Sequence, residues 1–577
     1  MTDAVVQTLW AELVVATLAD AGVTTCVVSP GSRSTPLVAA LASDGRLELP
    51  TIIDERAAAF YALGLARATG LPVALVCTSG SAAAHYLPAI VEASEAGVPL
   101  IAITADRPPE LQHCGAAQTI DQIGIYGGFV RAAFDLGAPH GSDLALRAVR
   151  RTIVQAITAS RGPRPGPVHV NVPLRKPLEP ARPTSSDGRA LAAIKYDRII
   201  VAPPTLTADR DAVAQLAAAI AAEPNGIVIA GAMSAGSADR AAQRRDDVLA
   251  LCAKAGYPLL AESGSQLRFV ARPGVTAIDH LDFVLAAKLA PAPKLIIQLG
   301  AEPVAAGWPV ATATFAHVRR WVLADGWRDP DGVATVIVGD VDLTNLVEHR
   351  GDSDFTRAWR EAEARAAAAV EEALVTHATS EAAAIRSALA AMPAGSTVQI
   401  GNSLPIRVVD QVAHGGANCP QVTVLTQRGA AGIDGSIASA TGASRAGAPV
   451  LLILGDVSFA HDLGSLLVAR MATRPLAILV IDNGGGRIFG GLPIAGSPGR
   501  EMFEAHFVTR PEIDVLAVAA ALHLRAVSAA TPTAVARSVA TALAEPGATI
   551  IHALVDETGA RDFRASVLAH LTGARHG

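Results

Sequence analysis

Short, almost wholly apolar runs recur along this chain, and each is followed by an Ala-rich stretch long enough for a helix. An apolar run too short to be a helix and bounded by turn residues reads as a strand buried on both faces. Such strands pair in parallel, with helices covering the sheet. The runs fall into three series. Thr25–Ser29, Val73–Cys77, Leu100–Thr104 and Val168–Val172 form the first. Gly226–Ala230, Leu295–Leu299, Trp321–Leu323 and Thr335–Val338 form the second. Thr397–Ile400, Val422–Leu425, Val450–Leu454, Ala477–Ile481 and Thr549–Val555 form the third. A Pro- and Ser-rich stretch, 177–187, reads as a linker after the first series, and the charged run 355–374 reads as a helix leading into the third. The expected fold class is α/β, with three parallel-sheet domains over residues 1–180, 196–355 and 378–577. A chain of 577 residues with 51% hydrophobic and 17% charged residues can fill three such cores and is not disordered.

The charge balance excludes some partners. Forty-seven basic against 53 acidic residues give a net charge of −6 with no long basic block, which argues against nucleic acid. The apolar runs stop well short of the ~20 residues a membrane helix needs. Asp3 and Glu12 near the start, with no basic segment before an apolar run, do not read as a secretory signal. Cys26, Cys77, Cys114, Cys252 and Cys419 are odd in number and lack a Cys-x-x-Cys pair, so free thiols and a cytoplasmic setting are expected.

The sharpest chemical signal is Leu451-Leu452-Ile453-Leu454-Gly455-Asp456-Val457-Ser458-Phe459. An apolar strand ends in Gly-Asp, and a helix is expected to begin after Ser458. Asp456 therefore stands at the carboxyl end of a strand, where open α/β sheets take ligands. A second strand ends in Asp482-Asn483-Gly484-Gly485-Gly486. Two neighbouring strand ends would offer the Asp456 carboxylate, the Asn483 amide oxygen and the Gly485 carbonyl. That hard oxygen set suits Mg²⁺ bridging to a diphosphate, with glycines letting the backbone close in and a helix start favouring negative charge. A strand followed by Gly-Asp is also an ordinary helix cap, so either piece alone says little. The pair resembles the Gly-Asp…Asn signature of thiamine-diphosphate enzymes, with Val457 where glycine and Asp482 where asparagine are usual. The resemblance implies thiamine diphosphate with Mg²⁺ or Mn²⁺, held by Gly455, Asp456, Val457, Ser458, Asn483 and Gly485.

Thiamine enzymes need one carboxyl on the coenzyme's N1′ ring nitrogen. Thr51-Ile52-Ile53-Asp54-Glu55-Arg56-Ala57 is expected to end a strand and open a long Ala-rich helix, and Glu55 fits that place. An acid in the first turn of a helix also simply complements the helix dipole. The superfamily draws this acid from one flanking domain and the diphosphate site from the other, across a subunit interface. A homodimer or dimer of dimers is therefore implied.

Four arginines follow strands in the flanking series: Arg33 in Ser29-Pro30-Gly31-Ser32-Arg33-Ser34, Arg107 in Thr104-Ala105-Asp106-Arg107, Arg407 in Asn402-Ser403-Leu404-Pro405-Ile406-Arg407, and Arg428 in Gln427-Arg428-Gly429-Ala430-Ala431-Gly432-Ile433-Asp434-Gly435. Each alone could be a solvated loop residue. In an acidic protein, four at strand edges suggest a substrate with several carboxylates, since arginine grips carboxylates with two parallel hydrogen bonds. Together these segments resemble SEPHCHC synthase (2-succinyl-5-enolpyruvyl-6-hydroxy-3-cyclohexene-1-carboxylate synthase), a thiamine-enzyme family of menaquinone biosynthesis. The resemblance covers most of the first and third series. It implies 2-oxoglutarate and isochorismate as substrates. Ser32, Arg33, Arg107, Gln118, Ser403, Arg407 and Arg428 match the substrate-contact positions, with Gln118 beside Glu55 in the catalytic set. Asn402, Gly432 and Ile433 match coenzyme-facing positions, Ile433 propping the bent coenzyme. Ile488, Phe489 and Leu492 resemble the apolar wall over the reacting carbon, although plain core packing also fits them. The middle stretch Ala301-Glu302-Pro303-Val304-Ala305-Ala306-Gly307-Trp308-Pro309 lacks the basic residues that some members carry. The residues alone leave open another thiamine enzyme, such as an acetolactate synthase or a 2-oxoacid decarboxylase, and a non-catalytic diphosphate-binding protein.

Overall fold

The computed structural model describes residues 2–197, 200–233, 238–415, 420–496 and 499–573. Cys419 lies outside them. Three parallel sheets organise the described chain. The first has β1 (Cys26–Val28), β2 (Val73–Cys77), β3 (Leu100–Asp106), β4 (Ala133–Asp135) and β5 (Val168–Pro173), in the order β1-β2-β3-β5-β4. The second has β6 (Gly226–Ala230), β7 (Leu259–Ala261), β8 (Ala277–Ile278), β9 (Leu295–Leu299), β10 (Arg319–Ala324) and β11 (Thr335–Val338), in the order β11-β10-β9-β6-β7-β8. The third has β12 (Thr397–Ile400), β13 (Thr423–Thr426), β14 (Val450–Gly455), β15 (Pro475–Asp482), β16 (Arg525–Ser528) and β17 (Gly547–Leu554), in the order β13-β12-β14-β15-β17-β16. The central strands β2, β3, β5, β6, β9 and β12 are buried along their whole length, with His169, Asn171, Gln298 and Gln399 among the polar residues they enclose.

Two expectations need correction. The segment ahead of Glu55 is not a strand. It runs beside β1 through isolated bridges at Thr25–Glu48 and Val28–Thr51. Pro50 sits between them and has no N–H to donate, so no continuous ladder forms. The helix after β14 begins at Asp456 itself, three residues earlier than expected, and spans only Asp456–His461. The Asp456 carboxylate accepts from the Val457 amide at 2.9 Å, so the acid helps to start the helix it opens. The charged run before the third sheet is a helix, Asp354–Thr376.

The first and third sheets meet through helices. Helix Glu55–Thr69, capped by the Asp54 carboxylate on the amides of Arg56 and Ala57, lies on helix Ser436–Ser444. The approach is close enough that a Cβ on Gly64 would fall 1.9 Å from the Ser439 carbonyl oxygen. The thiols of Cys26, Cys77 and Cys252 are buried and free, whereas Cys114 is exposed. Burial pushes Cys26 and Cys77 up to about 12, so they are inert core residues.

Candidate active site

In the third sheet the chain leaves β12 for one neighbour, β13, and then returns to the other, β14. That reversal opens a crevice at the carboxyl ends of β12 and β14. Asn402 follows β12 and Asp456 follows β14, so the two flank the crevice. β15 lies next to β14, with Gly455 level with Ile481, which brings the Asp482–Gly486 turn up beside Asp456.

The polar groups there are incompletely used. Asn483 is buried, and its Nδ2 donates to the buried Glu381 carboxylate. With the nitrogen so engaged, Oδ1 faces the other way and has no hydrogen-bond partner. An enclosed amide oxygen without a partner is costly. A cation shared with Asp456 and the Gly485 carbonyl would satisfy it. In the structure Asp456 Oδ2 accepts from the Gly485 amide at 2.6 Å. Burial first, and Asp482 in addition, push the Asp456 carboxyl up to about 6. A bound cation would reverse that push. The donor set therefore fits a hard divalent ion. Gly485 has φ of +113°, and a Cβ there would lie 2.3 Å from the Val508 carbonyl oxygen, so this turn admits only glycine. Asp482 is tied instead to His552 at 2.8 Å, which holds its carboxyl below the usual range.

Asn402 Nδ2 donates to the carbonyls of Gln427 and Gly432, at 2.9 and 2.7 Å. Its Oδ1 accepts from Arg428 at 3.1 Å. Arg407 donates to the Ser403 carbonyl at 2.6 Å, and Ser403 takes a positive φ of 74° at the start of its helix. Burial and then Arg428 push the Arg407 guanidinium below its usual range. The structure thus gathers Asn402, Ser403, Arg407 and Arg428 at the ends of β12 and β13. Gly432 and Ile433 lie half-buried on the same turn.

The first sheet holds the other group. Arg33 is buried after β1 and donates to the Leu174 carbonyl at 2.7 Å, while its Nε has no partner. Ser32 beside it is exposed. Burial and then Arg107 lower the Arg33 guanidinium. Arg107, after β3, donates to the Ala117 carbonyl at 3.2 Å. Gln118 has a positive φ of 57° and donates to the Ser79 carbonyl at 2.9 Å. Glu55 is half-buried at the first position of its helix. Ile488 and Phe489 sit on the short segment Arg487–Gly491 after the Gly484–Gly486 loop, and Leu492 follows it. Phe489 and Leu492 are 40% and 44% exposed, so plain core packing does not account for them. Phe489 meets the Phe507 ring edge-on at 5.8 Å.

Two acids escape a reading of motifs. Glu381 opens helix Glu381–Ala390, and burial pushes it up to about 7. Glu262 follows β7 in the middle sheet and is 1% exposed, with both carboxyl oxygens enclosed and without a hydrogen-bond partner. Burial and Asp410 push it well above the usual range, against the pull of Arg428 and Arg268. The middle sheet thus places an acid close to the third sheet's arginines.

Comparisons with known proteins agree with this layout. Residues 10–125 match the thiamine pyrophosphate enzyme N-terminal TPP-binding domain, and residues 412–553 match the corresponding C-terminal TPP-binding domain. The chain is 42% identical to the 2-succinyl-5-enolpyruvyl-6-hydroxy-3-cyclohexene-1-carboxylate synthase of Sorangium cellulosum, over 95% of this chain and 92% of that protein. It is 38% identical to the synthase of the same name from Geobacillus thermodenitrificans, over 86% of this chain and 84% of that one. Among solved structures, the benzoylformate decarboxylase of Polynucleobacter necessarius superposes with a TM-score of 0.69 at 17% identity, covering 95% of this chain and 98% of that one. That likeness concerns the fold alone. At 42% identity over nearly its whole length, this chain belongs to the SEPHCHC synthase family of thiamine-pyrophosphate enzymes.

Proposed function

We propose that the protein is a thiamine-diphosphate-dependent SEPHCHC synthase, joining the succinyl part of 2-oxoglutarate to isochorismate with loss of CO₂. The observation that carries this reading is the third sheet's crevice in a family member. An unpartnered Asn483 oxygen beside Asp456 stands on one side, and a pair of arginines on the other. Asp456, Asn483 and the Gly485 carbonyl would hold Mg²⁺ or Mn²⁺, while Gly455, Val457 and Ser458 line the diphosphate. Asn402, Gly432 and Ile433 face the rest of the coenzyme. When bound, the coenzyme supplies the electron sink for decarboxylation and the carbon nucleophile for the 1,4-addition.

The chain's own residues do the rest. Glu55 shares a proton with the N1′ ring nitrogen. Arg407, Arg428 and Ser403 bind one carboxylate, and Arg33, Arg107 and Ser32 bind another, fixing both substrates in line. Gln118 orients the acceptor. Ile488, Phe489 and Leu492 exclude water over the reacting carbon. Self-association completes the site. Ile53, next to Glu55, is 79% exposed, and Leu467 and Met471, just beyond the Asp456 helix, are 50% and 36% exposed. A second copy covering these apolar residues would bring Glu55 of one chain to the crevice of another. No helix among the described residues is long and apolar enough to cross a membrane. We place the enzyme in the cytoplasm, where its small-molecule substrates are met.

A coupled assay tests the proposal: 2-oxoglutarate and isochorismate are supplied with thiamine diphosphate and Mg²⁺, and loss of the diene absorbance is followed. Turnover of pyruvate in preference to 2-oxoglutarate would move the protein to the acetolactate-synthase-like alternative. Glu55→Gln should lower turnover by roughly 10²–10⁴-fold. Near-normal turnover would remove Glu55 from the mechanism.

A further inference from the structure

Glu92 lies on helix Leu87–Ala96 of the first domain and is 3% exposed. Its carboxylate is fully engaged. Oε1 accepts from Arg67 at 2.9 Å and from the Gly429 amide at 3.1 Å, and Oε2 accepts from the Ala430 amide at 2.6 Å. Arg67 also donates to the Thr426 carbonyl at the end of β13. One buried acid of the first domain therefore grips both residues that follow Arg428, while its paired cation grips the residue two before it. Gly429 lies so close to this helix that a Cβ would fall 2.7 Å from the Glu92 carbonyl oxygen. The far end of the turn is fixed separately, where Ser436 Oγ donates to Gln427 Oε1 at 2.9 Å.

A buried ion pair is a poor source of stability, because desolvation offsets its attraction, so its presence points to a demand for specific geometry. Here the demand is visible. Two successive backbone amides need acceptors, and the guanidinium between the anchored atoms is one of the arginines assigned to a substrate carboxylate. We infer that Glu92, with Arg67, is a positioning residue of the substrate site, holding the Arg428–Ala430 turn so that Arg428 stays aimed at the carboxylate it binds. The inference rests on the proposed role of Arg428. It adds that the first domain sets the third domain's substrate affinity from within the same chain.

The experiment compares Glu92→Gln, Arg428→Ala and the double variant in the full-length enzyme with thiamine diphosphate and Mg²⁺. Gln keeps the size of Glu but cannot accept on both sides, and losing charge-assisted bonds of this kind is worth about ten-fold. Glu92→Gln should raise the KM for 2-oxoglutarate about ten-fold and leave kcat within about three-fold. Coenzyme affinity, read by fluorescence titration, should stay unchanged. On the Arg428→Ala background it should add nothing, since both changes remove one interaction. Arg67→Lys, which keeps the charge and loses the fork, should give a smaller rise and serves if Glu92→Gln does not fold. An unchanged KM overturns the inference, as does a KM that rises equally on both backgrounds, or a joint fall of kcat, coenzyme affinity and melting temperature. An unchanged KM in Arg428→Ala itself would instead remove Arg428 from the substrate site.

Discussion

The two ligand edges carry their arginines in different ways. At the first sheet, Arg33 and Arg107 are tied to backbone carbonyls, and Arg33 keeps an unpartnered Nε. Asp106 is the acid that offsets them, and it is already engaged by Asn171 at 3.0 Å and by the Arg107 amide at 2.7 Å. At the third sheet, Arg407 and Arg428 look onto buried acids, Glu262 and Asp410, and are anchored through Asn402 and Ser403. The first edge is a bare cationic patch whose counter-charge has to come from outside. The third is a network held in place before any ligand arrives, its arginines anchored through Asn402 and Ser403 beside two buried acids. A substrate carboxylate relieves like-charge repulsion at both edges, Arg33 against Arg107 and Arg407 against Arg428, but at the third it also joins an existing frame.

The largest expected effect is at the framed edge. Arg428→Ala should leave a buried substrate carboxylate unpaired, at a cost of about 3–5 kcal/mol, or roughly 10²–10⁴-fold in the KM for 2-oxoglutarate. A change below three-fold would mean that the frame holds no substrate. The next effect concerns acid stability in the first sheet. His169 on β5 is buried, bonded to Thr104 Oγ1 at 2.8 Å and set edge-on to the Tyr126 ring. Burial lowers its pKa from 6.5 to about 4. The folded value is depressed, so the unfolded chain takes the proton first. The contribution is complete above 6.5 and is lost as pH falls toward about 4. The loss amounts to about 3 kcal/mol at the acid end. His169→Gln should flatten the melting-temperature profile between pH 6.5 and 4. A variant as acid-sensitive as the parent would show that His169 is not the cause.

The two edges also differ in how much of them the sequence reveals. Each begins in an apolar run, and β2, β6, β9, β11 and β12 start and stop where the pattern says. The strands that escape are β4, β7, β8 and β16, which are very short or lie at an edge; β16 is exposed throughout, so it has no apolar run to show. At the sites, motif residues that follow a strand are legible because the strand end itself fixes their place. Glu381, Glu92 and Glu262 are not. Glu381 lies 102 residues from Asn483, and Glu92 lies 337 from Gly429. Nothing local to an acid on an Ala-rich helix tells a surface charge from one turned inward onto another domain. The Asp456 helix shows the same limit at short range, since the acid read as preceding the helix starts it.

A moderate effect separates the edges by stability rather than binding. Arg33→Met removes a buried cation whose Nε is unpartnered and whose neighbour repels it. Replacing such a charge by an apolar side chain of similar length is neutral or stabilising. The melting temperature should therefore hold or rise, while the KM for the substrate bound at this edge rises about ten-fold. The same exchange at Arg428 should lower both stability and affinity. Equal behaviour at the two positions would erase the distinction between a bare patch and a built frame.

The smallest effect at neutral pH is the most informative about that frame. Burial and Asp410 raise the Glu262 carboxyl well above the usual carboxylate range, which favours its protonated form. Where the carboxyl holds its proton, Glu262→Gln replaces one neutral group by another of the same shape, and stability should change by no more than about 1 kcal/mol. The difference emerges on the alkaline side. A carboxyl whose folded pKa is raised contributes stability that is complete below its unfolded value. That contribution is lost as pH rises through the folded value, because the proton leaves a site that cannot solvate the charge. The parent should therefore lose melting temperature as pH rises above the usual carboxylate range, and Glu262→Gln should lose less. If the two profiles run parallel, Glu262 is already ionised and paired with Arg428. The third edge would then be a salt-bridge frame whose acid competes with the substrate for the same guanidinium, and Glu262→Gln should tighten substrate binding.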